Sequence, residues 1–390
     1  MSSSVRVVWD NDLASYDFGF GHPLAPLRIE LTVALARELG VLSLPNVEIV
    51  AAPVADDATL RLVHTADYIS AVRACGEIGG HDLAHGLGTD DNPVFVGMHD
   101  ASAHVVGATV EAARSVWAGE VDHAVSLSGG LHHAMPDAAS GFCVYNDVAV
   151  AIASLLEQGA KRVAYVDVDV HHGDGVERAF RDDPRVLTIS IHESGHGLFP
   201  GTGFVEDADV DGTVVNVPLP PGTDDAAWLR VFDAVVPELV GAFAPDVLVT
   251  QHGCDTHAVD PLAHLALTIE GQRASYQRLH DLAHQHADGR WIATGGGGYA
   301  VVDVVPRAWT HLLAEVAGHP IDPTTPTPEA WRELVRVRTG REAPMSMGDG
   351  GLAGSREHLE GHGDGDVSAE LAEVVLGVRA GCFPQHGLQP

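Results

Sequence analysis

The sequence predicts an α/β protein built on one doubly wound parallel sheet, and three observations carry that reading. Short β-branched runs alternate with longer Ala/Leu-rich runs through about the first 318 residues. Many of the short runs are almost wholly apolar, as strands buried on both faces are. The 390 residues are 45% hydrophobic and 19% charged, enough apolar matter for a sizeable core and unlike a coiled coil, a collagen or a disordered chain.

In chain order, Val5–Trp9 reads as a strand, and Leu27–Leu39, Ala66–Cys75 and Ala101–Trp117 as helices. The strand Ala124–Leu127 and the helix Asn146–Gln158 follow. Three strands come next, Val163–Val170, Leu187–Ile191 and Val214–Leu219, then the helix Asp225–Phe243. Strand Val247–Thr250, helix Thr268–His286 and strand Trp291–Ala293 complete the alternation. In such a sheet, chemistry is expected beyond the carboxyl ends of the strands. After Pro320 the texture changes to the spacer Asp322-Pro-Thr-Thr-Pro-Thr-Pro and a short helix near Glu329–Val337. Thr339–Asp366 is rich in Gly, Asp, Glu and Ser and reads as flexible, and a last short helix at about Ser368–Arg379 is placed to dock back. The expected organisation is a main body, 1–320, and a C-terminal appendage, 321–390.

The 54 acidic and 22 basic side chains leave a formal charge of −32. With no basic run, this argues against a nucleic-acid partner and favours a cationic one, or simply a well-solvated surface. No stretch approaches the ~18 apolar residues of a membrane span. The N-terminus shows no apolar signal region, so the expected address is the cytoplasm. Cys75, Cys143, Cys254 and Cys382 are scattered without a CxxC and read as reduced thiols. The 24 histidines are the anomaly, because many sit beside Gly or Asp.

The strongest segment is Tyr165-Val-Asp-Val-Asp-Val-His-His-Gly-Asp-Gly175. Asp167, Asp169 and His171 stand two residues apart, on one face of a strand that continues through them. Asp and His together at a strand mouth make a divalent-metal clamp. Asp167 and Asp174 are not both needed as ligands, and a carboxylate behind an imidazole fixes its tautomer. A second segment, Ser126–Met135, presents His132 and His133 after a Gly turn, groups suited to moving protons near neutral pH. In a third, Thr250-Gln-His-Gly-Cys-Asp-Thr-His257, Asp255 can supply a third metal ligand. Three ligands leave a position for water and substrate, as catalytic sites do. His252, Cys254 and His257 compete for that role, and spacing does not choose. In the fourth, Gly295-Gly-Gly-Gly-Tyr299, a Tyr displayed by a close-approaching turn can donate to an oxyanion. No Lys or phosphate-loop pattern accompanies these glycines. Phe142 and Phe199 can flank a narrow apolar slot, although singly each reads better as core.

Together these motifs resemble the histone deacetylase family, and within it the bacterial acetoin-utilisation deacetylases. The resemblance runs through Gly21–Arg28, Gly88–Pro93, Gly130–His133, Gly141–Asp147, Asp167–Gly175, Phe199–Gly203, Gly253–Asp255 and Gly295–Tyr299. It covers about residues 5–318 and makes 1–320 a deacetylase domain. It implies an arginase/deacetylase-type three-layer fold with a central, mostly parallel eight-stranded sheet. It implies zinc, with ferrous iron as alternative, on Asp169, His171 and Asp255, and a structural potassium near Asp167, Asp169 and Ser190. His132 and His133 match the tandem histidines, backed by Asp167 and Asp174, and Tyr299 the catalytic tyrosine. Gly141, Phe142 and Phe199 match the acyl-lysine channel, Asp91 (less closely Asp90) the acid that grips substrate backbone, and Arg28 an arginine near an internal channel. The Gln251-His-Gly-Cys-Asp context departs from the Gly-Phe-Asp or Gly-Ala-Asp of many relatives and places an extra imidazole and thiol in question.

The implied activity is metal-dependent removal of acetyl or other acyl groups from lysine side chains of a protein or peptide, such as a metabolic enzyme. An acetylpolyamine amidohydrolase is the alternative, suited to the acidic composition. A binuclear arginase fits worse, because Asp169-Val-His-His-Gly lacks the Asp-x-His-x-Asp pattern. A non-catalytic acetyl-lysine reader is the weakest of these, since none of the matched positions is missing.

Overall fold

The structure, a computed structural model, describes residues 3–209, 211–350 and 364–390. Eight strands form one sheet: β1 Val5–Val8, β2 Val47–Val50, β3 His123–Ser126, β4 Val163–Asp167, β5 Val186–Glu193, β6 Val214–Leu219, β7 Val247–Gln251 and β8 Trp291–Thr294. Their order is β2-β1-β3-β8-β7-β4-β5-β6, and every pairing is parallel. The helices are α1 Leu27–Glu38, α2 Asp57–Leu60, α3 Ala66–Ile78, α4 Met98–Trp117, α5 Asp147–Glu157, α6 Asp174–Phe180, α7 Asp225–Phe243, α8 Ile269–His286, α9 Val305–Val316, α10 Glu329–Thr339 and α11 Asp364–Cys382. Helix α4 packs against α5, β1 and β3, while α1, α9, α8 and α7 are successive neighbours. These helix groups and the sheet give the three layers of an arginase/deacetylase-type fold.

The inner strands are buried on both faces, which is why their sequences are apolar without alternation. The sequence reading found seven strands. The one it passed over, β2, is an edge strand, and its half-exposed Val-Glu-Ile-Val lacks that apolar signature. A second difference matters more. The strand expected over Val163–Val170 ends at Asp167, because Asp167 Oδ1 accepts the Asp169 N–H at 3.1 Å and turns the chain. Asp169 and His171 therefore stand on the turn, not on a strand face. Helices α2, α6 and α9 were also missed.

The C-terminal appendage, including part of the stretch read as flexible, is fastened to the body. Trp331 of α10 donates its indole N–H to Leu31 O at 2.9 Å and is buried with Leu31, Leu35, Val335, Ala343 and Met347. Asp349 pairs with Arg307 at 2.8 Å and with His257 at 2.8 Å, and it accepts the Ile269 N–H. Of the remainder of the expected flexible stretch, 351–363 lie outside the described residues and 364–366 instead open α11. Helix α11 packs on β6 and α7, burying Leu371, Val378 and Cys382. Among the described residues no helix is long and apolar enough to cross a membrane, and all four cysteines are buried and unpaired.

Many histidines are interior. Burial pushes the imidazoles of His64 and His311 down to about 4, and those of His192 and His252 to about 3. Their folded pKa values lie below the ~6.5 of an unfolded chain, so the unfolded state takes up protons first. Stability is fully present above about pH 6.5 and falls as pH drops toward 4, each histidine contributing about 1.4 kcal/mol per pH unit. Urea unfolding followed from pH 7.5 to 4.5 should show this as a progressively lower midpoint; a flat profile would contradict it.

Candidate active site

One ladder row, Ser126–Thr294–Gln251–Asp167, crosses the adjacent strands β3, β8, β7 and β4. In each segment singled out in the sequence, the residues that reach the site lie just past that row. Four neighbouring strand ends thus deliver His132 and His133, Tyr299, Asp255, and Asp169 with His171 to one place.

Asp169, His171 and Asp255 are all buried, and one ligating atom of each lies within 4.8 Å of the others. His171 Nδ1 is 3.1 Å from Asp169 Oδ1 and 3.2 Å from Asp255 Oδ2. Asp169 Oδ2 accepts from Gln251 Nε2 at 2.7 Å and from the Gly297 N–H at 2.8 Å. Asp255 Oδ1 accepts the Val170 N–H at 3.1 Å, while its Oδ2 is buried with no hydrogen-bond donor. Burial and the charge of Asp169 push Asp255 up to about 6. Burial works against the His171 cation, but Asp169 and Asp255 outweigh it and hold the ring up at about 10. Two buried carboxylates, one carrying an orphaned oxygen, beside one imidazole are a hard and borderline donor set suited to a divalent cation such as zinc or ferrous iron. The residues present therefore fit a metal.

The third-ligand question left open by spacing is answered by orientation. His252 faces Thr250, with Nε2 2.7 Å from its hydroxyl, and packs on Tyr276 and Trp291. His257 points at Asp349. Cys254 Sγ lies 3.7 Å from Gly297 O, beneath the glycine turn. The extra imidazole and thiol are thus packing groups, not members of the donor set.

Beside that set, His132 Nε2 and His133 Nε2 are 3.1 Å apart. His132 Nδ1 is 2.7 Å from Asp167 Oδ2, which also accepts the Tyr165 hydroxyl at 2.6 Å. His133 Nδ1 is 2.7 Å from Asp174 Oδ1. The loop carrying both rings is fixed by Asp147, which accepts the Gly130 and Leu131 N–H groups at 3.0 and 2.8 Å. Asn146 Nδ2 in turn donates to His132 O at 3.1 Å. The two rings differ electrostatically. Burial lowers both, but Asp167 and Asp169 reverse it at His132 and raise it to about 9. At His133, burial and the His132 charge prevail over Asp174 and lower it to about 4.

Tyr299 is positioned through its backbone, whose N–H donates to Asp260 at 2.8 Å. Arg28 lies over Trp309, 5.1 Å from its ring, and donates to Gly296 O at 2.8 Å, clamping the turn. Burial, then the charges of Asp255 and Asp169, push the phenol well above its ordinary value and keep it a donor. Phe142 stands edge-on to Tyr299 at 5.7 Å, and Phe199 edge-on to His133 at 5.0 Å. Phe142 has φ 69°, a conformation costly for a bulky side chain. The Ser140–Cys143 backbone pair and the Tyr16 hydroxyl on Phe142 O at 2.7 Å hold it there. Beside it, a Cβ on Gly141 would come 2.6 Å from His133 Cδ2 and 2.7 Å from Phe199 Cε1, so only Gly leaves this wall open. Asp90 and Asp91 lie exposed on the neighbouring rim loop. Asp91 O is 3.3 Å from His22 Nε2, and the His22 ring packs on Phe142 at 4.6 Å.

Sequence reasoning missed Gln251, Tyr165, Asp147, Asp260 and His22 as supporting residues. Tyr165 was findable, because it lies two residues before Asp167 and so shares its strand face. Gln251, Asp260 and His22 act through tertiary approach and leave no periodic signal.

The sequence matches the family model described as "Histone deacetylase domain" over residues 22–316. The chain belongs to the histone deacetylase family. Within this deacetylase family it is of the acetoin-utilisation type. It is 42% identical over 346 residues to the acetoin utilization protein AcuC of Bacillus subtilis (strain 168), covering 87% of each chain. It is 37% identical over 337 residues to AcuC of Staphylococcus xylosus, covering 85% of this chain and 87% of that one. To AcuC of Staphylococcus aureus (strain MSSA476) it is 39% identical over 326 residues, with 82% and 83% covered. The chain is therefore a deacetylase-type hydrolase of a family that is generally metal-dependent.

A Cβ on Gly297 would fall 1.9 Å from Asp255 Oδ2 and 3.0 Å from Asp169 Oδ2. Gly297→Ala should therefore displace the carboxylates and lower retained metal and hydrolytic rate together, by at least about tenfold, as a small misplacement does at a reacting centre. Metal analysis and circular dichroism on the variant check that the loss comes with a retained fold.

Proposed function

We propose that the enzyme is a zinc-dependent lysine deacetylase acting in the cytoplasm on acetylated protein or peptide, such as an acetylated metabolic enzyme. The observation that carries this reading is the paired His132–Asp167 and His133–Asp174 contacts beside the Asp169–His171–Asp255 set, under a wall of Phe142 and Phe199. Asp169, His171 and Asp255 would hold zinc, or ferrous iron, whose chemistry when bound is Lewis acidity toward an amide carbonyl and toward water.

This chain's own residues supply the rest. Asp174 takes the Nδ1–H of His133 and leaves Nε2 bare, so His133 accepts the proton of the attacking water. As the carbon–nitrogen bond breaks, the same nitrogen returns that proton to the departing lysine amine. His132, held by Asp167, keeps its proton and offsets developing negative charge. The Tyr299 hydroxyl donates to the oxyanion. Phe142 and Phe199 sheathe the aliphatic stem of the side chain, the open space at Gly141 admits it, and Asp91 receives backbone N–H groups at the rim.

Turnover of an acetyl-lysine peptide and of an acetylated polyamine, side by side on zinc-loaded and chelated protein, tests the substrate class. Metal-dependent peptide cleavage is expected. Cleavage of the polyamine alone would move the assignment to an acetylpolyamine amidohydrolase, and cleavage of neither would overturn the reading.

Two substitutions test the roles. Tyr299→Phe should lower kcat by roughly 10²–10³-fold, as loss of one oxyanion donor does. His133→Ala should lower turnover more severely than His132→Ala does and remove the acidic limb set by the base, seen in the pH–rate profiles of both. Near-normal turnover in His133→Ala would remove it as the base.

A further inference from the structure

The opposite end of the sheet carries a second histidine cluster, remote from the strand ends that hold the active site. Strand β3 begins at His123, which pairs in the ladder with Trp291, the first residue of β8. Across this end runs α8, with His280 and His284 one turn apart and so on one face. The His123 ring lies 4.9 Å from that of His280 and 5.1 Å from that of His284. One ligating nitrogen of each of the three lies within 4.8 Å of the other two.

Hydrogen bonding decides which nitrogens are free. His123 Nδ1 is 2.9 Å from Val316 O, and a carbonyl only accepts, so Nδ1 bears the hydrogen. Nε2 is left as a lone pair. It is buried, in a fully buried residue, and has no hydrogen-bond partner. His280 Nδ1 faces Glu315 Oε1 at 3.5 Å, a carboxylate behind an imidazole of the kind that orients metal ligands. Its Nε2 then lies 3.0 Å from His284 Nε2. Two ring nitrogens this close need a proton or a cation shared between them. His123 is not held as an imidazolium: burial, opposed by the Val316 carbonyl and aided by the other two rings, lowers it to about 4. Burial and His280 lower His284 as well, although Asp122 and Asp281 oppose them.

We propose that His123, His280 and His284 form a second metal site, for a late first-row divalent ion such as Zn²⁺, Ni²⁺ or Cu²⁺. Three imidazoles without a carboxylate among the donors favour these ions over Mg²⁺ or Ca²⁺. Tetrahedral zinc with Zn–N of about 2.0–2.1 Å sets its nitrogens about 3.3 Å apart, close to the 3.0 Å already between His280 Nε2 and His284 Nε2. His284 is exposed, so the ion enters from solvent and only that side chain needs to adjust. A packing role alone accounts for the His280 ring stacked on Trp291 at 5.2 Å, but it leaves His123 Nε2 unpaired. The site is independent of the deacetylase reading.

Equilibrium dialysis of the full-length protein against micromolar Zn²⁺, followed by elemental analysis, tests it. The protein should retain two equivalents, Asp255→Ala one, and His284→Ala one with deacetylase turnover unchanged. Trp291 touches both His123 and His280, so Cu²⁺ should quench tryptophan emission in Asp255→Ala and not in His284→Ala. Equal zinc retained by His284→Ala and by the unaltered protein would overturn the proposal, whatever the count at the active site. Because His284 is a surface residue, its replacement leaves the fold intact, and the comparison of His284→Ala with the unaltered protein stands even if Asp255→Ala fails to fold.

Discussion

Two carboxylates, Asp169 and Asp255, are buried side by side, and the rest of the site is arranged around that fact. Like charges out of water repel and are poorly solvated, so their neighbourhood must supply compensation. Some of it is neutral and structural: the amide of Gln251 and the N–H groups of Gly297 and Val170. The rest is cationic character, from His171 and, in the proposed function, a metal ion. The glycines beyond β8 belong to the same solution, because a side chain at Gly297 would occupy the space of the carboxylates.

The same constraint separates two histidines that are neighbours in sequence. His132 lies within reach of Asp167 and, at 4.0 Å, of Asp169, whereas His133 has Asp174 alone. The ring nearer the paired carboxylates retains its proton, and that charge disfavours a second one next door. A dipeptide thereby acquires one charged and one neutral imidazole from its surroundings, a division of labour that no property of the His-His sequence itself specifies.

Much of this was legible in the chain. The doubly wound sheet followed from apolar runs buried on both faces, and the strand-end segments contained the metal-donor set, both histidines with their carboxylates, and Tyr299. Legibility stopped where an exposed edge mixed polar and apolar residues, as in β2, and where a side chain ended a strand, as Asp167 does at β4. Choosing Asp255 over His252, Cys254 and His257 needed resemblance, because four candidates within six residues differ only in the direction they face. Supports such as Gln251 and Asp260 were invisible for a related reason: their partners, Asp169 and Tyr299, lie on other strands' loops.

The C-terminal segment has a consequence for how the molecule tolerates shortening. Residues beyond 316 fall outside the matched family domain, yet Trp331 covers Leu31 and Leu35 on α1, the helix that also presents Arg28 to the Tyr299 turn. Asp349 ties together His257, Arg307 and the start of α8. A chain cut at the family boundary would expose a greasy seam along α1 and unclasp the loop after β7. Residues 317–349 therefore complete the packing of the family domain in this protein.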